Sequence, residues 1–301
     1  MNGGIKNTSM GPVGAALDVQ IRRRSLAESV LRVIWHEKRT TRAEIARHMD
    51  LSRSTVTEIV DGLLGTELVV EVGAGRSSGG RRPIVLEFQD QARVILGVDL
   101  GATHVSVALI DLRARVLVWK EQKHPVRTDP EGTRRLVFKL CDECLAEWGG
   151  GNDRLLRIGV AVPSPVDPLN PTWLSEVVIP AWQGKSPLEK LEERYGVPVH
   201  MDNDANLGAL AEHWWGAGRG VDDLIYIKMS HGIGAGYILN GAIYRGAGGV
   251  AGEFGHLPID PSGEKCVCGL HGCLATFVSA PALAARIAAL SGTYRNSLLL
   301  G

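Results

Sequence analysis

Along the first part of the chain apolar residues recur with a helical period. Leu26, Val30, Val33 and Ile34 share one face between Ser25 and about Glu37, the i, i+3, i+4 spacing of an amphipathic helix. Thr41-Arg-Ala-Glu44 has the form of a capping box and predicts a short second helix, Ala43 to His48. Ser52 is placed to cap a third, Arg53 to Leu64, whose apolar side carries Val56, Ile59, Val60 and Leu63. Leu68–Val72 and Arg82–Phe88 then read as strands on either side of a Gly-rich tip, Gly73 to Gly80. Helix, helix, tight turn, helix and hairpin is the order of a winged helix-turn-helix, assigned to residues 21–89. Residues 1–20, Gly-rich and aperiodic, read as an arm.

From Asp90 onward strands and helices alternate. Val94–Leu100, Val105–Asp111, Leu156–Val162, Val197–Met201 and Leu224–Met229 are the predicted strands. Helices are expected over Glu131–Trp148, Leu188–Tyr195, Ala205–Trp215 and Pro281–Leu290. Near-continuous apolar strands separated by helices indicate a buried sheet of an α/β domain, spanning residues 90–301. Strand ends in such sheets carry ligands, which marks Pro163-Ser-Pro-Val-Asp167 and Asp202-Asn-Asp-Ala-Asn206 as candidate site loops. Cys141 and Cys144 fall within a predicted helix, where packing is the expected role and a redox pair the alternative.

Composition narrows the class. Hydrophobic residues make up 45% of the 301 positions, enough for a real core, and formal net charge is zero. The charge is unevenly placed: 13 basic against 10 acidic residues over residues 1–89, and 20 against 23 over the remainder. No apolar run approaches the roughly 18 residues of a membrane span, and no export signal is visible, so a cytoplasmic protein without membrane partners is expected.

The third helix offers Arg53, Ser54, Thr55 and Thr57 from its N-terminal half, the half that leads into a major groove. Arginine suits guanine O6 and N7, and the hydroxyls suit base edges or phosphates. Arg76, Arg81 and Arg82 on the wing are placed for backbone phosphates or a minor groove. The implied partner is double-stranded operator DNA, read by a homodimer or higher homo-oligomer on a two-fold site. The alternative is a small helical appendage with ordinary solvated arginines.

Between Gly248 and Leu274 lie Cys266, Cys268 and Cys273, with His256 upstream. Thiolates and a neutral imidazole are ligands of tetrahedral Zn²⁺, and Gly269 and Gly272 allow the tight turns that would aim three sulfurs at one point. A disulfide would leave one cysteine over; loop cysteines without metal are the remaining alternative. His271 competes for the fourth position, but it lies inside the cysteine turn, and His256 is preferred.

Glu253-Phe-Gly-His256 followed by Cys266-x-Cys268-Gly-x-x-Gly-Cys273-Leu resembles the zinc knuckle of the ROK family (repressors, open reading frames and sugar kinases). Leu51-Ser-Arg-Ser-Thr-Val-Thr and Gly-Gly-Arg-Arg-Pro also resemble the DNA-binding domains attached to ROK repressors. The resemblance implies an α/β, actin- and hexokinase-like, two-lobed domain behind the winged helix-turn-helix, with the second lobe incomplete at Gly301. It implies a structural zinc on His256, Cys266, Cys268 and Cys273. It implies a sugar or sugar phosphate bound by Asn203, Asp204, Glu253 and His256. In the family's kinases Asp204 would be the general base. Three departures fall on kinase requirements: Ala102 in the first phosphate loop, His231 before the Gly232-x-Gly-x-Gly236 run, and Ala275 in place of a glutamate. The expected function is a sugar-responsive DNA-binding regulator without catalytic residues. The alternative is an ATP-dependent sugar kinase with an added N-terminal domain.

Overall fold

The computed structural model describes residues 12–74, 82–185 and 188–290. The chain divides into two compact units, Met1–Arg93 and Val94–Gly301.

The first unit begins with a long helix, α1 (Pro12–Glu37), then β1 (Arg39–Thr41), α2 (Arg42–His48), α3 (Arg53–Leu64), β2 (Val69–Ala74) and β3 (Ile84–Phe88). Residues 12–20, read from sequence as part of an arm, are helical. Proline tolerates the first helical position because its missing N–H would be unpaired there, and Ala15, Ala16, Leu17 and Gln20 continue the helix. The caps are as the sequence suggested. Thr41 Oγ1 accepts the Glu44 amide at 3.3 Å, and Ser52 Oγ accepts that of Thr55 at 3.1 Å. The three strands pair antiparallel in the order β1-β3-β2. Val30 and Ile34 of α1, Ile45 of α2, Val56 and Val60 of α3, and Leu86 of β3 are fully buried and form the core. At its margin Arg42 clamps two elements, donating to Glu71 at 2.6 Å and Asp61 at 2.9 Å.

The second unit opens on β4 (Val94–Leu100), β5 (His104–Asp111), β6 (Val116–Lys123), α4 (Pro130–Trp148) and β7 (Leu155–Val162). A small hairpin, β8 (Val166–Asp167) and β9 (Asn170–Leu174), precedes α5 (Leu188–Tyr195), β10 (Val199–Asn203) and α6 (Asp204–Trp215). Five strands join in the order β10-β7-β4-β5-β6. β10, β7 and β4 are parallel, whereas β5 runs against both β4 and β6. The ends of β4, β6, β7 and β10 therefore meet at one edge, where the candidate loops stand. Leu96, Val98, Val107, Leu109, Ile158 and Val160 are buried with Leu136, Leu140, Cys141 and Cys144 of α4 in one core. Burial pushes the Cys141 thiol up to about 12 and the Cys144 thiol up to about 11. Both are protonated packing groups, which favours the packing role over a redox pair.

The remaining elements are β11 (Leu224–Met229), β12 (Ile233–Leu239), β13 (Ala242–Tyr244), α7 (Ala275–Val278) and α8 (Ala280–Leu290). β11, β12 and β13 form an antiparallel sheet in sequence order. The Gly-rich run read as a loop is mostly strand: the turn is Ser230–Gly232, closed by Ser230 N donating to Gly232 O at 3.0 Å, and Gly234 and Gly236 lie within β12. Gly236 is there because α6 lies close; a Cβ would come 2.4 Å from the Ala205 carbonyl oxygen and 2.6 Å from the Ala209 methyl. On β11 the alternate residues Ile225, Ile227 and Met229 are 60%, 55% and 63% exposed. No described helix is long and apolar enough to cross a membrane.

The two faces predict opposite mutational costs. Ile158→Ala should lower unfolding free energy by about 2–5 kcal/mol in urea titrations, whereas Ile227→Thr should change it by roughly 0.5 kcal/mol or less.

Candidate functional site

On α3 the apolar positions turn inward and leave Arg53, Ser54 and Thr57 exposed along the N-terminal half. Thr55 is partly buried, and its hydroxyl lies 2.8 Å from the capping Ser52 Oγ. Ser54 Oγ also lies 2.8 Å from Ser52 Oγ, and Thr57 Oγ1 donates to the Arg53 carbonyl at 2.9 Å. The hydroxyls are thereby oriented, with oxygens still able to accept. Arg82 is exposed just before β3; Arg76 and Arg81 lie outside the described residues.

The second candidate region is the carboxyl edge of the five-stranded sheet. β10 ends in Asp202 and Asn203, and α6 begins at Asp204. Asn203, expected to bind a ligand, is chiefly a helix cap. Its Oδ1 accepts the amides of Ala205 at 2.9 Å and Asn206 at 3.3 Å, while its Nδ2 donates to the Ser164 carbonyl at 3.2 Å. Only its second N–H is left for a ligand. Asp202 is buried, accepting from Asn203 N and Asn206 Nδ2 on one oxygen. Its other oxygen receives Arg245 Nε at 2.9 Å and Nη2 at 2.6 Å.

Asp204 is held by Lys228 of β11, whose ammonium donates to its Oδ2. Neither Lys228 nor Arg245 was singled out from sequence. Lys228 did carry a signal: it interrupts an apolar strand at an inward-facing position, alternating with Ile227 and Met229 on the open side. A lysine there needs a buried partner. Arg245, alone in a Gly-rich stretch, gave no comparable sign.

Across from Asp204 stands Glu253, at the start of a one-turn 3-10 helix, Glu253–His256. Gly252 sets the entry with φ +95°; a Cβ there would lie 1.9 Å from the Ala235 carbonyl oxygen. The backbone is locked to β12 by Ala235 N donating to Gly252 O at 2.9 Å. Desolvation, with a smaller contribution from the Asp204 charge, pushes the Glu253 carboxyl up to about 7. Desolvation also raises Asp204, against the pull of Lys228. His256 is lowered, first by desolvation and then by the charge of Arg127, so its imidazole is neutral near pH 7. His256 Nε2 lies 3.7 Å from Glu253 Oε2, and Nδ1 lies 3.3 Å from Cys266 Sγ.

That second contact belongs to a compact donor set. Ligand atoms of His256, Cys266, Cys268 and Cys273 lie within 4.8 Å of one another. Cys268 Sγ and Cys273 Sγ are 3.6 Å apart, close to the edge of about 3.8 Å that tetrahedral Zn–S bonds of about 2.3 Å require. The turn is closed by Cys266 N donating to Leu270 O at 2.7 Å and Leu274 N to Leu257 O at 2.9 Å. His271 points elsewhere, its Nδ1 3.2 Å from the Gly263 carbonyl. The donor set thus fits a closed structural zinc site and includes His256 and not His271.

Comparison with known proteins follows the same division. The sequence profile of the ROK family matches residues 95–297. The chain belongs to the ROK family. The MarR family profile matches residues 28–70, within the winged helix-turn-helix that precedes the ROK domain. The chain is 35% identical over 254 residues to the xylose repressor of Caldicellulosiruptor bescii, covering 84% of this chain and 63% of that protein. To the DNA-binding transcriptional dual regulator NagC of Escherichia coli K12 it is 32% identical over 286 residues, covering 92% and 68%. It thus spans about two thirds of the length of these relatives. A crystal structure of a ROK family transcriptional regulator, a homolog of the E. coli MLC protein, superposes with TM-score 0.73 at 27% identity, covering 92% of this chain and 70% of that one. A ROK glucokinase from Streptomyces griseus, in complex with glucose and AMPPNP, gives 0.59 at 30% identity, covering 69% and 65%. The ROK domain is accordingly of the actin- and hexokinase-like α/β class.

The carboxyl of Glu253 yields a pH test. An ordinary glutamate titrates at 4.5, and this one at about 7 in the folded chain. Between those values the folded state keeps a proton that the unfolded state releases, so stability falls as pH rises through the window and is level on either side. Glu253→Gln should remove this contribution, shrinking the wild-type decline between pH 4.5 and 7 by on the order of 1–3 kcal/mol in denaturant titrations.

Proposed function

We propose that this chain is a sugar-responsive, DNA-binding transcriptional repressor. Residues 21–89 read operator DNA, and residues 90–301 form the sugar-sensing ROK domain. The observation that carries the reading is the α3 face. A winged helix-turn-helix with a buried apolar side presents Arg53, Ser54 and Thr57 to solvent at the end that enters a major groove. The relatives named for xylose repression and for DNA-binding transcriptional regulation support it. A homodimer on a two-fold operator, working in the cytoplasm, completes the proposal.

Asp204, Glu253 and His256 are the proposed sugar ligands, with Asn203 contributing its remaining N–H. Carboxylates and a neutral imidazole grouped at one cleft can accept and donate to a ring of hydroxyls. Zinc on His256, Cys266, Cys268 and Cys273 would supply a fixed frame for the loop that presents Glu253. With four protein donors it has a structural role, leaving no open position for water.

A sugar kinase is the second reading, favoured by the likeness to the glucokinase and by Asp204 at the place of a base. Two contacts weigh against it. Lys228 already holds Asp204. The imidazole of His104 packs so closely on Gly101 that a Cβ there would lie 2.2 Å from its ring, filling the turn a nucleotide phosphate would approach. Phosphoryl transfer depends on in-line seating of the nucleotide, and neither contact helps it.

Arg53→Ala should weaken operator binding by about 1–3 kcal/mol and relax base preference at one position, in fluorescence anisotropy with specific and random duplexes. Equal binding of both duplexes by wild type would defeat the repressor reading. Metal analysis should find about one zinc per chain. Cys268→Ser should release it and expose the 248–274 loop to proteolysis, whereas a metal-free wild type of equal stability would refute the zinc assignment.

A further inference from the structure

The carboxyl edge of the sheet also carries a cation that the groups described above leave unanswered. Arg127 sits in the turn that follows β6. The turn is fixed on several sides: His124 N donates to Thr103 O at 2.9 Å, Asp129 N to Pro125 O at 3.1 Å, and Trp182 Nε1 to the Val126 carbonyl at 2.9 Å. Because β6 ends at the same edge as β4, β7 and β10, Arg127 is delivered to the side of the sheet where Asp204 stands. Its charge is felt by His256, so it lies toward the Glu253–His256 turn.

The side chain is partly buried, and its Nε is shielded from water with no hydrogen-bond partner. Nearby carboxylates are engaged elsewhere. Asp129 accepts the Gly132 amide at 2.8 Å as the cap of α4, Glu131 pairs with Arg134, and Asp204 pairs with Lys228. No carboxylate among the described residues forms an ion pair with Arg127. A guanidinium drawn out of water without an acceptor is unfavourable. The partner that suits it is an anionic oxygen pair, because the planar fork of N–H donors matches carboxylate and phosphate geometry. Neutral hydroxyls could accept from one N–H but would leave the charge unanswered.

We propose that Arg127 is a specificity-determining residue of the cleft, selecting an effector sugar that bears an anionic substituent, a phosphate ester or a carboxylate, over its neutral parent. The proposal rests on the sugar-sensing reading above. The acidic groups nearest the sheet edge do not oppose it, since Asp202 is paired with Arg245 and Asp204 with Lys228.

The test is calorimetric titration of the full chain with matched sugars: glucose, glucose 6-phosphate and glucuronate, then N-acetylglucosamine and its 6-phosphate, with inorganic phosphate as a control. At least one anionic sugar should bind about tenfold or more tightly than its neutral parent. The phosphate and uronate arms identify which anion is read. Arg127→Gln should abolish the preference while leaving neutral-sugar affinity within about threefold, and Arg127→Lys should retain part of it. Neutral sugars binding as tightly as anionic ones in wild type would overturn the proposal, and this comparison needs no variant to fold. Inorganic phosphate binding as tightly as the sugar phosphate would overturn it too, because no sugar would then be read. Should every sugar fail to bind to a chain that still holds operator DNA, the sugar-sensing reading falls, and this inference with it.

Discussion

A carboxylate drawn into a cleft must be met by a cation, by donated hydrogen bonds or by a proton, and the ROK domain is arranged around that requirement. The sequence places Asp202 and Asp204 two residues apart at the end of β10, where the parallel sheet leaves little water. Asp202 is answered by both Arg245 nitrogens and two amide donors. Asp204 is answered by Lys228 from β11. Glu253, left with Asp204 as its charged neighbour, is answered by a proton held to about pH 7. Arg245 and Lys228 lie on or just after the antiparallel sheet, so these pairs tie that sheet to the strand end and helix that carry the acids. Removing one partner of such a pair strands the other charge, which typically costs about 3–5 kcal/mol. The cleft and the joint between the two sheets are therefore one set of interactions.

The segment from Gly248 to Leu274 obeys a different constraint. It has little regular structure beyond the Glu253–His256 turn, and Val250, Leu257, Ile259, Val267 and Leu270 are exposed. With few apolar contacts to hold it, the loop depends on short backbone bonds and on the convergence of one imidazole and three sulfurs. His256 joins the two systems, with Nδ1 toward Cys266 and Nε2 toward Glu253. An imidazole fixed on one nitrogen has a set tautomer and ring plane on the other. A frame on the cysteine side would therefore hold Glu253 in place on the cleft side.

The winged helix-turn-helix is simpler because its parts are local. The caps at Thr41 and Ser52 act within three residues, and the core is built from apolar stripes of adjacent helices. Only Arg42, reaching Asp61 and Glu71, bridges distant positions. Burying Val56, Val60 and Leu63 leaves the opposite side of α3 exposed, so the reading face follows from the core.

What the sequence by itself determined were the features set by neighbours in the chain. Periodicity and caps placed α3 and the strands Val94–Leu100 and Leu224–Met229, and the His256 and cysteine spacing marked the donor set. It misjudged residues 12–20, where early glycines outweighed the helix-starting Pro12, and it read as loop a Gly-rich run that is strand because α6 presses on it. Tertiary structure alone decided the partners of the acids. Asp202 and Arg245 are far apart in sequence, as are Asp204 and Lys228, and no local rule pairs them. It also turned Asn203 from an expected ligand into a cap and brought Arg127 to the sheet edge without a carboxylate. Local propensities depend on nearby residues, but whether a buried charge has a partner depends on which strand ends the sheet brings together.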